Sequence, residues 1–149
     1  MALRALGKQL MRPVATSWVR CSSSSPTVFD KMVQIFVIDK SGVRHTVRGM
    51  EGSNLATTLQ EYGQFSSDSF MPHIFDPGYA DCHVYVQGDY LDKLNPLDST
   101  EEADQQRVVD HYVRGKARDN SRMGYYIKLS PQMNGMTVAL GDVELWETQ

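Results

Sequence analysis

The sequence contains little cysteine, no long apolar run and no acidic residue before Asp30. Only Cys21 and Cys82 are cysteines among 149 residues. No apolar stretch approaches the ~20 residues that a membrane-spanning helix needs, so a spanning role is not expected. A chain of this length suits one domain with a sizeable core better than two.

The first 29 residues differ in composition from the rest of the chain. They contain four basic residues, four consecutive serines and leucines at helical spacing, and they lack any carboxylate. An amphipathic, basic and serine-rich start of this kind is typical of a mitochondrial transit peptide. We therefore predict a transit peptide at 1–29, a single domain at 30–149 and import into the mitochondrial matrix. The alternative is a basic arm that stays attached.

The predicted mature chain is strongly acidic. All 18 Asp and Glu residues but only 11 of the 15 Lys and Arg residues lie in 30–149, which gives that segment a net charge of −7. Nucleic-acid phosphates favour basic surfaces, so a nucleic-acid partner is not expected. A basic protein partner is compatible with this charge. Cleavage would also remove Cys21 and leave Cys82 without a disulfide partner, as a reducing compartment requires.

Hydrophobic periodicity predicts five strands, two helices and one long irregular loop. The strands are expected at 32–39, 43–49, 82–87, 123–129 and 136–141, the helices at 53–63 and 97–115, and the loop at 64–80. Ser53 and Gly63 are predicted to cap the first helix, and Ser99 with Glu102 to form a capping box that opens the second. A hairpin, a crossing helix and a mixed sheet make an α+β arrangement, compatible with a β-grasp among other small α+β folds.

Five segments resemble adrenodoxin-type mitochondrial [2Fe-2S] ferredoxins, in the order in which that family has them. They are VQIFVIDKSGVRHTVRGMEGSNLATTLQEYG, DCHVYV, YLDKLNPLDSTEEADQQ, SRMGYYI and NGMTVAL, and they lie within about residues 33–140. The resemblance implies the ferredoxin β-grasp fold. It also implies an acidic helix that docks basic protein partners, here with Asp98, Glu101, Glu102, Asp104 and Asp110.

The resemblance fails at the cluster ligands. The family pattern of three loop cysteines and one downstream cysteine falls on His73, Tyr79, Cys82 and Tyr125, so one thiolate remains. A [2Fe-2S] cluster is held by four thiolates, or by two thiolates and two imidazoles. Phenols with a pKa near ~10 are poor substitutes, so we expect no [2Fe-2S] cluster. The resemblance also implies that His83 ties the loop to the body of the fold by hydrogen bonds.

Two interpretations of this loop stay open. In the first, His73 and Cys82 bind one Fe or Zn ion, with Tyr79 and Tyr125 at the two remaining positions. In the second, the loop is empty and repacked, and Cys82 is a small buried apolar residue.

A mitochondrial ferredoxin fold without its cluster ligands is similar to the ferredoxin-like accessory subunits of plant-type complex I. That similarity implies a non-redox part, structural, assembly-related or regulatory, which bridges the matrix arm and the γ-carbonic-anhydrase module of the membrane arm. One alternative is a free mitochondrial metal-binding or redox protein related to ferredoxin. Another is an enzyme with Cys82 as nucleophile, but the sequence has no nucleophile elbow or glycine-rich loop to activate it, so we expect no enzyme.

Overall fold

The computed structural model describes residues 25–144, which form seven strands and two α-helices joined by short 3₁₀ turns. The strands are β1 (Met32–Ile38), β2 (Arg44–Met50), β3 (Met71–Pro72), β4 (Ala80–Asp81), β5 (His83–Val86), β6 (Ser121–Met123) and β7 (Thr137–Leu140). The helices are α1 (Leu55–Tyr62) and α2 (Ser99–Tyr112). Residues 1–24 of the predicted transit peptide, with Cys21, lie outside the described residues.

Five of the strands form one mixed sheet in the order β2-β1-β7-β5-β6. β1 and β7 run parallel, and the other neighbours are antiparallel. β3 and β4 form a separate two-stranded pair within the segment that was expected to be an irregular loop. The predicted α+β fold with a mixed sheet, a crossing helix and an acidic helix is therefore confirmed.

Helix α1 begins and ends at residues with clear physical roles. The side chain of Asn54, not that of Ser53, accepts the hydrogen bond from Thr57 N–H that caps the helix. The Ser53 hydroxyl instead donates to the Met50 carbonyl, so the predicted cap was one residue early. Gly63 has the left-handed φ of 70° that glycine adopts without strain, which confirms it as the C-cap.

The capping box of helix α2, in contrast, lies one residue earlier than predicted. Asp98 accepts hydrogen bonds from Thr100 N–H and Glu101 N–H, and the Glu101 carboxylate accepts from Asp98 N–H. The box is therefore Asp98 with Glu101, not Ser99 with Glu102. A carboxylate interacts more strongly with the positive N-terminal end of the helix than a hydroxyl does.

The predicted strand at 123–129 is wrong beyond Met123. A 3₁₀ turn follows at Gly124–Tyr126, and the chain then leaves the sheet. Its next backbone bonds go to the segment before α1, because Leu55 N–H donates to Ile127 O and Leu129 N–H donates to Ser53 O. The alternating burial of Ile127 and Leu129 resembles a sheet strand in sequence, but α1 covers them.

The hydrophobic core has two parts, a larger and a smaller cluster of buried side chains. The larger packs α1 against the sheet and includes Cys82, and the smaller packs α2 against Met71, Met123 and Tyr126. Within residues 25–144, no helix is both long enough and apolar enough to cross a bilayer.

Candidate functional site

The four positions that resemble cluster ligands meet where the 71–82 segment approaches the turn after β6. His73 follows β3, Tyr79 precedes β4, Cys82 separates β4 from β5, and Tyr125 lies in the 3₁₀ turn. Pairing of Met71 with Asp81 closes the intervening residues into a tight loop. We call residues 73–79 the loop tip.

His73 is 2% exposed and both of its ring nitrogens have hydrogen-bond partners. Its Nδ1 lies 3.0 Å from Asp81 Oδ2, and its Nε2 lies 3.4 Å from the Tyr126 hydroxyl. The other carboxylate oxygen of Asp81 accepts from the backbone N–H groups of Cys82 at 2.8 Å and Tyr125 at 2.9 Å. A buried carboxylate is costly unless it is paired in this way, so Asp81 is the centre of a satisfied polar network.

Aromatic rings fill the space around this network. The Tyr125 ring stacks on His73 with centroids 3.8 Å apart and an interplanar angle of 13°. The Tyr125 hydroxyl donates to Asp76 at 3.2 Å, and burial together with this hydrogen bond raises the pKa of Tyr125. Burial also raises the pKa of Tyr126 to about 12. Tyr79 contacts Tyr125 edge-on at 6.0 Å and is half exposed.

Cys82 is completely buried in the larger part of the core. A methyl group on Gly124 would lie 2.6 Å from Cys82 Sγ, so the sulfur occupies the space that this glycine leaves. Burial raises the pKa of the Cys82 thiol well above its usual range, and the Asp81 carboxylate raises it further. The thiol therefore stays protonated at neutral pH, whereas the thiolate is the form that attacks electrophiles or binds metals.

The residues at the four positions do not fit a [2Fe-2S] cluster. They provide one protonated thiol, one imidazole whose nitrogens are both engaged, and two phenols, whereas the cluster needs four thiolates or two with two imidazoles. Moreover, the described part of the chain contains no group of three or more His, Cys, Asp or Glu side chains that could hold a metal ion.

The prediction for His83 needs correction. Its Nε2 bonds the Ser121 hydroxyl at 3.0 Å and its Nδ1 bonds the Asp142 carbonyl at 3.1 Å, so it joins β5 to β6 and to the segment after β7. Neither of these two partners lies in the loop. His73 and Asp81 tie the loop to the body instead.

Asp81 and Tyr126 are the site residues whose roles sequence reasoning missed. The sequence pattern predicts no role for Asp81, and Tyr126 falls within the strand predicted at 123–129. The one available signal was the position of Asp81 directly before Cys82. Its function as a hydrogen-bond centre depends on the pairing of β3 with β4, which no local pattern indicated.

The five acidic residues of the predicted docking surface have different environments. Asp98 caps α2, and Glu101 lies half-buried, 4.0 Å from Lys128 Nζ. Asp104 lies 3.5 Å from Arg107, and Asp110 accepts from the Gln106 amide. Glu102 is exposed in the first turn. The negative charge is therefore concentrated at the N-terminal end of the helix.

No family model matches this sequence. Adrenodoxin-like protein 1, mitochondrial, of Drosophila melanogaster is 32% identical over 115 residues, which cover 77% of this chain and 62% of that protein. Ferredoxin-2, mitochondrial, of Xenopus laevis is 27% identical over 111 residues, which cover 74% of this chain and 53% of that protein. The chain thus spans between half and two thirds of the length of these curated relatives.

Solved ferredoxin structures share the fold. Ferredoxin from Rhodopseudomonas palustris HaA2 superposes with a TM-score of 0.55 at 24% identity, covering 72% of this chain and 95% of that one. A reduced putidaredoxin variant from Pseudomonas putida superposes with a TM-score of 0.56 at 19% identity, covering 73% of this chain and 96% of that one. A similar match, with a TM-score of 0.55 at 19% identity over 73% and 98%, is to a covalent putidaredoxin reductase–putidaredoxin complex.

Proposed function

We propose that this ferredoxin-related protein is a non-redox, non-enzymatic accessory subunit of mitochondrial respiratory complex I. In this role it binds the matrix arm and the γ-carbonic-anhydrase module of the membrane arm, and so bridges them on the matrix side of the inner membrane. The mitochondrial names of its relatives and the composition of residues 1–29 support the compartment. The choice of complex I rests on the resemblance to the ferredoxin-like subunits of plant-type enzymes.

One observation carries the non-redox part of the proposal. The segment that would hold a cluster keeps its fold, but its polar groups bond one another through Asp81, His73 and Tyr126. These groups are not the four thiolates, or two thiolates and two imidazoles, that hold a [2Fe-2S] cluster. A ferredoxin fold without its cluster retains the recognition surfaces, and the putidaredoxin structures include one joined to a protein partner.

The acidic N-terminal end of α2 supplies one recognition surface. Exposed carboxylates attract a basic partner over several ångströms and contribute little to folding stability. Reversing Glu101, Glu102 and Asp104 to Lys should therefore reduce association with the complex. Because Glu101 also accepts from Asp98 N–H and the first turn of α2 favours negative charge, the reversal should also lower the stability of the isolated chain by about 1–2 kcal/mol, which thermal melting measures. Association that survives the reversal would show that docking uses another surface.

A single Fe or Zn ion on His73 and Cys82 remains a prediction of the sequence. For such an ion to bind, His73 must release Asp81 or Tyr126, and the buried Cys82 thiol must lose its proton. Metal analysis of the native assembly decides this point, because a bound ion would be present at about one per chain.

The deciding experiment isolates respiratory complexes from mitochondria that express the tagged chain. We expect the chain to co-migrate with intact complex I on native gels, and its deletion to reduce the fully assembled enzyme. Two irons per chain with acid-labile sulfide would overturn the non-redox assignment. A monomeric matrix protein with a reversibly bound ion would instead support the free metal-binding alternative.

A further inference from the structure

The loop tip presents large apolar side chains to solvent. Ile74 is 38% exposed, Phe75 48% and Tyr79 50%, within seven residues of one another. Single exposed apolar residues are common, but a group of them at the end of one loop is typical of an interaction site. The aromatic types found here are enriched at binding hot spots.

This exposed group has a rigid support. Within the tip, Tyr79 N–H donates to Asp76 O at 3.0 Å, and His73 N–H donates to Tyr79 O at 2.9 Å. The Tyr112 hydroxyl on α2 also donates to Pro72 O at 3.2 Å. Preorganised side chains lose little conformational entropy when they bind, so this arrangement favours affinity.

A groove lies beside the tip and has no charged residue in its lining. Its volume is about 380 Å³, and its walls include Gln60, Phe70, Pro72, Pro77 and Tyr79. A partner side chain of aromatic or branched aliphatic type would contact Tyr79 and the two prolines there.

Carboxylates flank the apolar tip on the side of α2. Asp76 lies within it and accepts from Tyr125, and Tyr125 in turn lines a second hollow together with Glu101 and Lys128, whose charged groups lie 4.0 Å apart. The surface therefore passes from an apolar anchor to an acidic margin, a pattern complementary to an apolar side chain flanked by Lys or Arg.

We propose that the loop tip, residues 73–79 with exposed Ile74, Phe75 and Tyr79, is the anchor through which this chain binds a protein partner. The partner surface inserts an apolar side chain into the adjoining groove and presents a basic residue to Asp76, the carboxylate within the tip. This inference rests on the proposed function, since it names the surface that makes the chain a stable subunit. Apolar contacts are little screened by salt, so the anchored complex resists ionic strength that weakens purely charged contacts.

The test compares full-length tagged chains in mitochondria that lack the native protein. The tip variant combines Phe75→Ser and Tyr79→Ser, and the control is Val43→Ser, an apolar residue 53% exposed between β1 and β2. The readout is the amount of the identified stoichiometric partner recovered per chain, at low salt and after a high-salt wash. Melting of the purified variants checks that both remain folded.

At both salt concentrations we expect the tip variant to recover at least tenfold less partner per chain than the wild-type chain does. The control variant should recover as much partner as the wild-type chain. Recovery equal to wild type would overturn the inference while leaving the proposed function intact. Loss of a stoichiometric partner that is identified as something other than complex I would support the anchor and overturn the proposed function. A purified wild-type chain that dimerises through the tip, or one that recovers no stoichiometric partner, would overturn the inference.

Discussion

Replacement of Asp81 is the sharpest test of the proposed site architecture. Asp81→Ala removes the acceptor of three hydrogen bonds and leaves the buried N–H groups of Cys82 and Tyr125 without partners. An orphaned buried donor costs about 1–3 kcal/mol. With the loss of the hydrogen bond to His73 as well, we expect a total destabilisation of about 3–5 kcal/mol, as a sum of contributions of this size.

Asp81→Asn is the matched control. Its side-chain oxygen still accepts from Cys82 N–H and Tyr125 N–H, and its amide can donate to an unprotonated Nδ1 of His73. We expect a loss of about 1 kcal/mol, because only the charge changes. Total stabilities of single domains are about 5–15 kcal/mol, so the two variants separate clearly in urea unfolding followed by circular dichroism.

The same titration with and without a chelator distinguishes packing from metal binding. If Asp81 stabilises the loop by hydrogen bonding alone, Asp81→Ala should lower the free energy of unfolding equally in metal-replete and in chelated protein. If the loss were below about 1 kcal/mol, or equal in the Ala and Asn variants, the assignment of Asp81 as the hydrogen-bond centre would be refuted. A loss seen only in metal-replete protein would restore the bound-ion interpretation.

Three further predictions concern neighbouring groups. Gly124→Ala should destabilise the fold by about 1–3 kcal/mol because its methyl group meets Cys82 Sγ, whereas Gly88→Ala, with open space around it, should stay within about 1 kcal/mol of wild type; thermal melting compares them. In a Cys21→Ser chain, Cys82 should react with a disulfide reagent at pH 8 only after denaturation, since burial raises its pKa and blocks access; rapid native reaction would contradict its burial. Burial lowers the pKa of His83 below its ordinary value of 6.5, so the neutral imidazole contributes fully to folding stability above pH 6.5, and this contribution is lost as the pH falls below that value. His83→Gln should therefore reduce the fall in melting temperature between pH 7.5 and 5.5. The same fall in the variant as in the wild-type chain would argue against this role of His83.

Local signals in the sequence located most of the regular elements. The alternating hydrophobic pattern identified β1 and β2, and Gly63 marked the end of α1 because glycine adopts positive φ without strain. The helix starts were misplaced by one residue because two adjacent residues, such as Ser53 and Asn54, have similar capping ability. Local chemistry does not choose between them; in the fold the Ser53 hydroxyl donates to Met50 O, and Asn54 caps the helix.

The segment 123–129 shows why pattern alone was insufficient elsewhere. Its alternating buried residues predict a sheet strand. In the structure, however, the backbone of 127–129 forms its hydrogen bonds with residues 53–55, at the start of α1, and not with a strand of the sheet. The 64–80 loop shows the converse, since Met71–Pro72 in its middle pairs with Ala80–Asp81 at its C-terminal end, as β3 and β4, without any periodic signal. The first outcome depends on contacts between residues far apart in sequence, whereas the second is a local pairing that no hydrophobic pattern marks.

What the sequence determined by itself is the chemistry that this site lacks. Three of the four ligand positions carry no thiol in any fold, so the donor set cannot hold an ordinary [2Fe-2S] cluster. Only the tertiary structure decided the state of the groups that remain. Pairing of β3 with β4 brings His73 to Asp81, and burial keeps the Cys82 thiol protonated, because hydrogen bonding and desolvation depend on which groups surround a side chain.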